Sequence, residues 1–445
     1  MDQRSPVHEI VHVLWSALTE LRVDPEIASP SFVEHAAFSI HGALSAPGRE
    51  YHNHDHVIEI AQSNDPLEVI AALYHDAVYI QVDRGVPHSM ERELARVFDE
   101  MHDGSGWRVL PDADSDVLAV FGRTVGDVVT PSTGLNELAS ALVASIQLAN
   151  VLDREQRLAI AACIELTIPF RAGPVGELHD RIAGLGYAGA ALERLVTRAL
   201  RLGNRDVENF ADNDPARFLD NTWKLLPESN PALQLPTVYT VRDYRVALNK
   251  MEGFLAHLHA DRVFHAYGDE PGAAVHARRV ARTTGNLELA VRYLRAKLYS
   301  IALVEAVAEA TGGDVPLDYF MGGMKHTQRA HAETKRIEQF LPHLGSMKDL
   351  DPPLNRLLSE GRASSSSFDT GPSPIGAFLM NTVGEATMLA GVEQAKRWWG
   401  GGSDVHGFIA TQPPKPIAAI ARAAAHIMDT RRDRLFALAE RLDAT

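Results

Sequence analysis

Cysteine is almost absent. Cys163 is the only one in 445 residues, so no disulfide can form within the chain, and a reducing compartment is the expected setting. Long apolar runs are missing too: no stretch reaches the roughly 18 uninterrupted apolar residues of a membrane span. The opening MDQRSPVHEIVHVLW breaks its apolar run with histidine and glutamate, and no small-residue cleavage site follows, so it does not read as a secretory signal. These absences lead us to expect a cytoplasmic chain with no membrane partner. Positive charge is also in deficit. Against 43 Lys and Arg stand 58 Asp and Glu, a formal charge of −15, which argues against general affinity for a nucleic-acid backbone. Gly400-Gly401-Gly402 lacks the lysine and Ser/Thr of a phosphate-cradling loop. Alternating strand patterns and βα alternation are absent as well, which predicts an all-α fold.

What remains is an ordinary globular composition, 45% hydrophobic and 23% charged, enough for roughly two to three domains. Amphipathic helices are predicted over 6–22, 32–45, 89–101, 114–127, 133–151, 153–167 and 190–210, with a loop over 103–113. Cys163 lies in IAACIELTI, where a small core residue is the plainer reading than a nucleophile. The ten residues Pro227 to Pro236 hold three prolines and read as a linker, which gives domains of 1–226 and 237–445. In the second of these, helices are predicted over 240–261, through NLELAVRYLRAKLYSIALVEAVAEATGGD as far as Gly312-Gly313, and over 415–442, the last Ala-rich and suited to packing against a neighbouring element or a second copy in a homo-oligomer. Arg292, Arg295 and Lys297 read as polar punctuation on a solvated face. The segment 361–376, GRASSSSFDTGPSPIG, reads as a mobile low-complexity loop, and RWWGGG at 397–402 as a helix-end anchor.

The most unusual stretch runs from Tyr51 to Tyr79, YHNHDHVIEIAQSNDPLEVIAALYHDAVY. Asn64-Asp65-Pro66 is a helix start, with Asp65 as N-cap and Pro66 in the first turn. Leu67, Ile70 and Leu73 follow at helical spacing, so His75-Asp76 falls near the end of a helix apolar on most sides. A buried carboxylate beside a buried imidazole costs several kcal/mol of desolvation unless something neutralises it, and a divalent cation does so with oxygen and nitrogen ligands together. His52 and His56 are four apart and share a face if helical. Two buried helices thus bring His56 and His75-Asp76 toward one point. His179-Asp180 is a second doublet, but charged residues and glycines flank it, and a surface position is expected. The acids Asp212, Asp214 and Asp220 lack calcium-loop spacing and read as caps and solvated charge. His8 and His12 read as surface or packing residues rather than ligands, and His102 as exposed.

The segments RxYHNxxH (Arg49, Tyr51, His52, Asn53, His56) and AxxYHDAVY (Ala71 to Tyr79) resemble the HD superfamily of helical metal-dependent phosphohydrolases, in its small bacterial branch of predicted HD phosphohydrolases. The resemblance covers at most the first half of the chain. It implies an HD-type helical domain, followed here by a second, mostly helical region of unassigned role. It also implies a last aspartate on a later helix, for which Asp206 in RALRLGNRDVENFA is the first choice and Asp153 in LANVLDREQ the competitor. The relatives carry an acidic NEExS-like segment after the doublet. Here the region reads VPHSMERELA, without the asparagine, which leaves Glu91 and Glu93 as stand-ins and His88 as an added ligand.

The expected ligand set is therefore His56, His75, Asp76 and Asp206, suited to Mn²⁺, Fe²⁺, Co²⁺, Ni²⁺ or Zn²⁺ rather than Ca²⁺. Arg49 is expected to neutralise charge on a phosphate, and His52 to orient it or shuttle a proton. The implied activity is hydrolysis of a small phosphate ester, with nucleotides among the candidates. Two alternatives are an HD-type di-iron oxygenase, which needs His88 with Glu91 or Glu93, and a non-catalytic metal-binding scaffold for a protein partner.

Overall fold

The computed structural model describes residues 5–323, 335–343, 350–364, 366–369 and 371–444. The chain is all-α: 67% is helical and 3% is strand. It divides into two compact units, one made of Met1–Ala211 and His259–Thr283, the other of Asp212–Leu258 and Thr284–Thr445. The division falls between Ala211 and Asp212 rather than in the proline-rich stretch. There the chain stays ordered: a helix continues through Pro227, and Pro231–Gln234 forms a 3-10 turn that buries Leu233 completely.

The first unit is built on α1 (Pro6–Glu20), α2 (Pro30–Leu44), α3 (His54–Ile60), α4 (Pro66–Tyr74), α5 (Leu135–Gln147), α6 (Arg154–Leu166) and α7 (Gly189–Asp206). Helix α4 starts as its sequence dictates, with Asp65 accepting from the Leu67 N–H and Pro66 at the first position. Ile70, Ala71, Ala72, Leu73 and Tyr74 are all fully buried, because α4 packs on both α1 and α6. Helix α6 lies against α5 on one side and α7 on the other. Cys163 sits in it fully buried, and burial pushes its thiol well above the ordinary range, so it is a core residue. At Gly203 the α6–α7 approach is so close that a Cβ would stand 2.6 Å from the Leu166 carbonyl oxygen. Only glycine permits that spacing, three residues before Asp206.

The helix predicted over 89–101 ends early. It covers Glu91–Val97, and Phe98–Glu100 turns into a strand paired antiparallel with Trp107–Val109, which pairs in turn with Val128–Val129. Phe98, Val109 and Val129 are buried. Strands this short show too few alternations to be read from periodicity, yet their apolar residues gain the same burial.

The second unit contains α8 (Pro215–Ser229), α9 (Val241–His257), the part of α10 (Ala273–Gly312) from Thr284 onward, α11 (Pro374–Trp399), α12 (Pro414–Ala425) and α13 (Arg432–Asp443). The single helix predicted over 415–442 is two, because the chain turns at Met428, which is fully buried. The RWWGGG stretch ends α11 as a packing anchor, with Trp398 stacked on Phe408 at 5.0 Å and Arg245 over Trp399 at 4.9 Å. By length and composition, α11 is the one helix among the described residues that could cross a membrane, though 44% of its most apolar window is buried in the protein.

Two expectations fail in this unit. Lys297 is not on a solvated face: it is 8% exposed, whereas Arg292 and Arg295 are half-buried and paired with Glu385 and Glu252. The 361–376 segment, apart from Ser365 and Thr370, which lie outside the described residues, is no loose loop. Phe368 is fully buried, and Arg362, Ser366, Asp369 and Ser373 are buried beside it. Ser364 donates to Asp220, and the Phe368 carbonyl accepts from the Tyr239 hydroxyl. The segment's polarity is answered internally, which a reading of composition alone misses.

Candidate metal centre

Four side chains from three helices meet at one point in the first unit. The Asn53 side chain accepts from the backbone N–H of Asp55 and His56 and starts α3 there, which turns His56 inward. His75 is the C-terminal cap of α4 and Asp76 follows it, while Asp206 is the last residue of α7. His56 Nε2 lies 3.5 Å from Asp76 Oδ2 and 3.2 Å from Asp206 Oδ1. His75 Nε2 lies 2.9 Å from Asp76 Oδ2 and 3.5 Å from Asp206 Oδ1. The competing Asp153 is the N-cap of α6, engaged with the Gln156 N–H, and takes no part.

The atoms crowd without hydrogen-bonding. His56 Nε2, His75 Nε2 and Asp76 Oδ2 are buried and have no hydrogen-bond partner, despite the short separations. Three buried polar atoms left this way in one place demand an explanation. The distances supply one. Donors about 2.1 Å from a common ion stand about 3.0 Å apart at octahedral angles and about 3.4 Å apart at tetrahedral angles. The observed 2.9–3.5 Å brackets both. His75 Nδ1 lies 2.7 Å from the Ala72 carbonyl oxygen, so Nδ1 carries the hydrogen and Nε2 faces the cluster with its lone pair, the tautomer a metal ligand needs. His56, His75 and Asp76 form the one group of potential ligands with donor atoms mutually within 4.8 Å found among the described residues. The residues fit a divalent cation.

The electrostatics agree. Burial alone raises the carboxyls of Asp76 and Asp206, but the facing imidazoles outweigh it: Asp76 is held far below the carboxylate range, and Asp206 at about 2. Burial disfavours charge on His75, yet the two carboxylates raise its proton affinity well above the ordinary imidazole value. Without a cation, a proton does part of the cation's work, so metal binding must displace it and weakens as pH falls.

Arg49 does not face the cluster as a phosphate ligand. Its guanidinium is fully buried and forks onto Asp83 at 2.8 and 2.7 Å. It also donates to the carbonyl oxygens of Asp76 at 2.5 Å, His52 at 3.3 Å and Ala77 at 3.4 Å. Its charge is neutralised by Asp83, and its geometry makes it a clamp on the backbone of the doublet. His52 does lie beside the ligands, its ring 5.8 Å from that of His56 and 4.7 Å from that of Tyr79, and its charge is felt by Asp76. His88 is elsewhere. Its side chain is 99% exposed and faces Glu91, itself 67% exposed. His179 and Asp180 pair with each other on the surface.

Sequence reasoning missed Glu137. Helix α5 lies along the segment after the doublet, with Ser140 Oγ accepting from the Val78 N–H and Asn136 Oδ1 from the Ile80 N–H. Glu137, between these contacts, is close enough to feel Asp76 and Asp206. The surrounding protein, reinforced by those two charges, pushes its carboxyl up to about 7. No local signal marks it, since an acid in the first turn of a helix is ordinary.

No family model, no curated protein and no solved structure matches this chain.

Proposed function

We propose that the first unit is a mononuclear metal-dependent phosphohydrolase of the HD type, acting on a small phosphate ester. The observation that carries this reading is the set of mutually facing, partnerless ligand atoms of His56, His75 and Asp76, closed by Asp206. Two imidazoles and two carboxylates suit Mn²⁺, Fe²⁺, Co²⁺, Ni²⁺ or Zn²⁺. A bound divalent cation supplies Lewis acidity toward a phosphate oxygen. In this reading His52, whose ring lies 5.8 Å from that of His56, has the role of donor to that phosphate, and Glu137, with its carboxyl near 7, exchanges a proton at neutral pH. Arg49 holds the Asp76 carbonyl and so the direction of the doublet. The di-iron alternative is less favoured, because its extra ligands would have to come from His88 with Glu91 or the half-buried Glu93, and the His88 side chain is 99% exposed and faces Glu91.

The test is to load the full chain with each of the five metals and assay a phosphomonoester and a phosphodiester. Metal-dependent hydrolysis of either ester that falls at least about a hundredfold in His52→Ala, with metal content kept, supports the reading. Metal bound with no release from either ester class, and oxygen consumed instead, would replace it with the oxygenase.

A further inference from the structure

Three helices bring the metal ligands together, and one side chain ties those helices to each other. Arg205, the residue before Asp206 on α7, forks across to both of the other ligand helices. Its Nη2 donates to Glu68 Oε2 on α4 at 2.6 Å, and its Nη1 donates to the Ile60 carbonyl oxygen at 3.2 Å. Ile60 is the last residue of α3, where carbonyls lack an intrahelical partner, and His56 lies one turn before it. Glu68 and His75 are two turns apart on α4 and so share a face. Each arm of the fork thus holds a helix that supplies a ligand, and the backbone carrying the fork supplies the next ligand.

Glu68 makes the fork hard to release. Its side chain is 1% exposed, and Arg205 supplies the one ion pair it has among the described residues. The Ser63 hydroxyl donates to the same Oε2 at 2.7 Å and accepts from the Asp65 N–H at the start of α4. Without its guanidinium, Glu68 would be a buried carboxylate left unpaired, which is strongly unfavourable. Arg198, two turns earlier on α7, gives a contrast. It also reaches α4, but its one hydrogen bond among the described residues goes to the half-buried Asp65, at 2.7 Å. Both arginines line one solvent-open cavity of about 620 Å³, together with Gln62, Ser63, Glu68 and Arg201.

We propose that Arg205 is the positioning residue of the metal centre: by holding Glu68 and the Ile60 carbonyl at once, it fixes the Asp206 carboxylate against His56 and His75. The inference rests on the metal site proposed above. Ligand atoms must be held within about 0.5 Å of the productive geometry, and Asp206 reaches the others from a helix far along the chain. The fork converts contacts among α3, α4 and α7 into that precision.

Competition of the full chain with a chromogenic chelator for Zn²⁺ or Mn²⁺ tests this. Arg205→Ala should lower metal affinity about ten- to a hundredfold, the usual cost of losing an outer partner of a ligand. Arg198→Ala removes an ion pair between the same two helices and should lower it by less than about twofold. The void left by Arg205→Ala opens into the cavity, so guanidinium at millimolar concentration should restore affinity. Urea, of similar shape without the charge, should not. Should Arg205→Ala lose its helical circular dichroism, Arg205→Lys carries the test: it keeps the charge but lacks the fork, and a loss of at least about fivefold is expected. Unchanged affinity in the folded variant, an equal loss in Arg198→Ala, no recovery with guanidinium, or equal recovery with urea each overturns the inference. A chain that binds metal but hydrolyses neither ester refutes the hydrolase reading and leaves this one standing. A wild type that binds no metal overturns both.

Discussion

Two buried clusters, one in each unit, contrast in chemistry. In the first unit, two carboxylates and two imidazoles face one another, and His56 Nε2, His75 Nε2 and Asp76 Oδ2 have no hydrogen-bond partner. In the second, Asp369 Oδ2 accepts from the Trp223 indole N–H, the Tyr244 hydroxyl and the Lys297 ammonium, with the Arg362 guanidinium beyond. The first has a surplus of acceptors and calls for a cation. The second already has its carboxylate answered by three donors and needs no cation. Both are ionised and buried, so burial and shifted titration alone do not distinguish them. The presence of unsatisfied atoms does.

The largest effect that would sharpen this contrast is expected in the second cluster. Asp369→Ala leaves Lys297 buried without its carboxylate, which should cost about 3–5 kcal/mol of stability, measured by urea unfolding with a probe in the second unit such as Trp223 fluorescence. A loss below about 1 kcal/mol would mean that the cluster is solvated and the comparison false. The clamp on the first cluster comes next. Arg49→Lys removes the two-pronged contact with Asp83 and the grip on the Asp76 carbonyl, which should cost about 2 kcal/mol and weaken metal affinity about tenfold. Unchanged affinity in a metal titration would make Arg49 a packing residue only.

The smallest effect concerns Glu137. Its carboxyl rises from 4.5 to about 7 on folding, so between those values the folded chain binds more protons than the unfolded one. Its contribution to stability therefore declines as pH rises from about 4.5 to about 7 and is flat on either side. Glu137→Gln should remove that component from the pH dependence of metal-free unfolding. A variant whose slope matches the wild type over this window would mean that burial does not raise the Glu137 carboxyl.

The two clusters also differ in how far they could be read from sequence. His56, His75 and Asp76 lie within a short stretch whose capping and apolar spacing are local, so their convergence on neighbouring helices was legible. Asp206 came only through the family resemblance, and the structure brings it to the others. The role of Arg49 was misread because its partner, Asp83, is 34 residues away and nothing local ties the two. Glu137 was invisible for the same reason. The second cluster combines Trp223, Tyr244, Lys297 and Asp369, each a lone polar or aromatic residue in its own segment. Lys297 looked like surface punctuation, and Asp369 lay in a stretch whose serines and glycines suggested mobility. Helical periodicity revealed the all-α class, whereas the short strands around Phe98 and the turn at Met428 depend on tertiary burial that periodicity does not carry.

The measurement that tests the central claim most directly is elemental analysis of the wild-type chain beside a His75→Ala/Asp76→Ala variant, both incubated with Mn²⁺, Fe²⁺ or Zn²⁺ and then desalted. The account predicts one equivalent of transition metal in the wild type and none in the variant, with helical circular dichroism kept in both. Absence of metal from the wild type, or equal content in the variant, would contradict it.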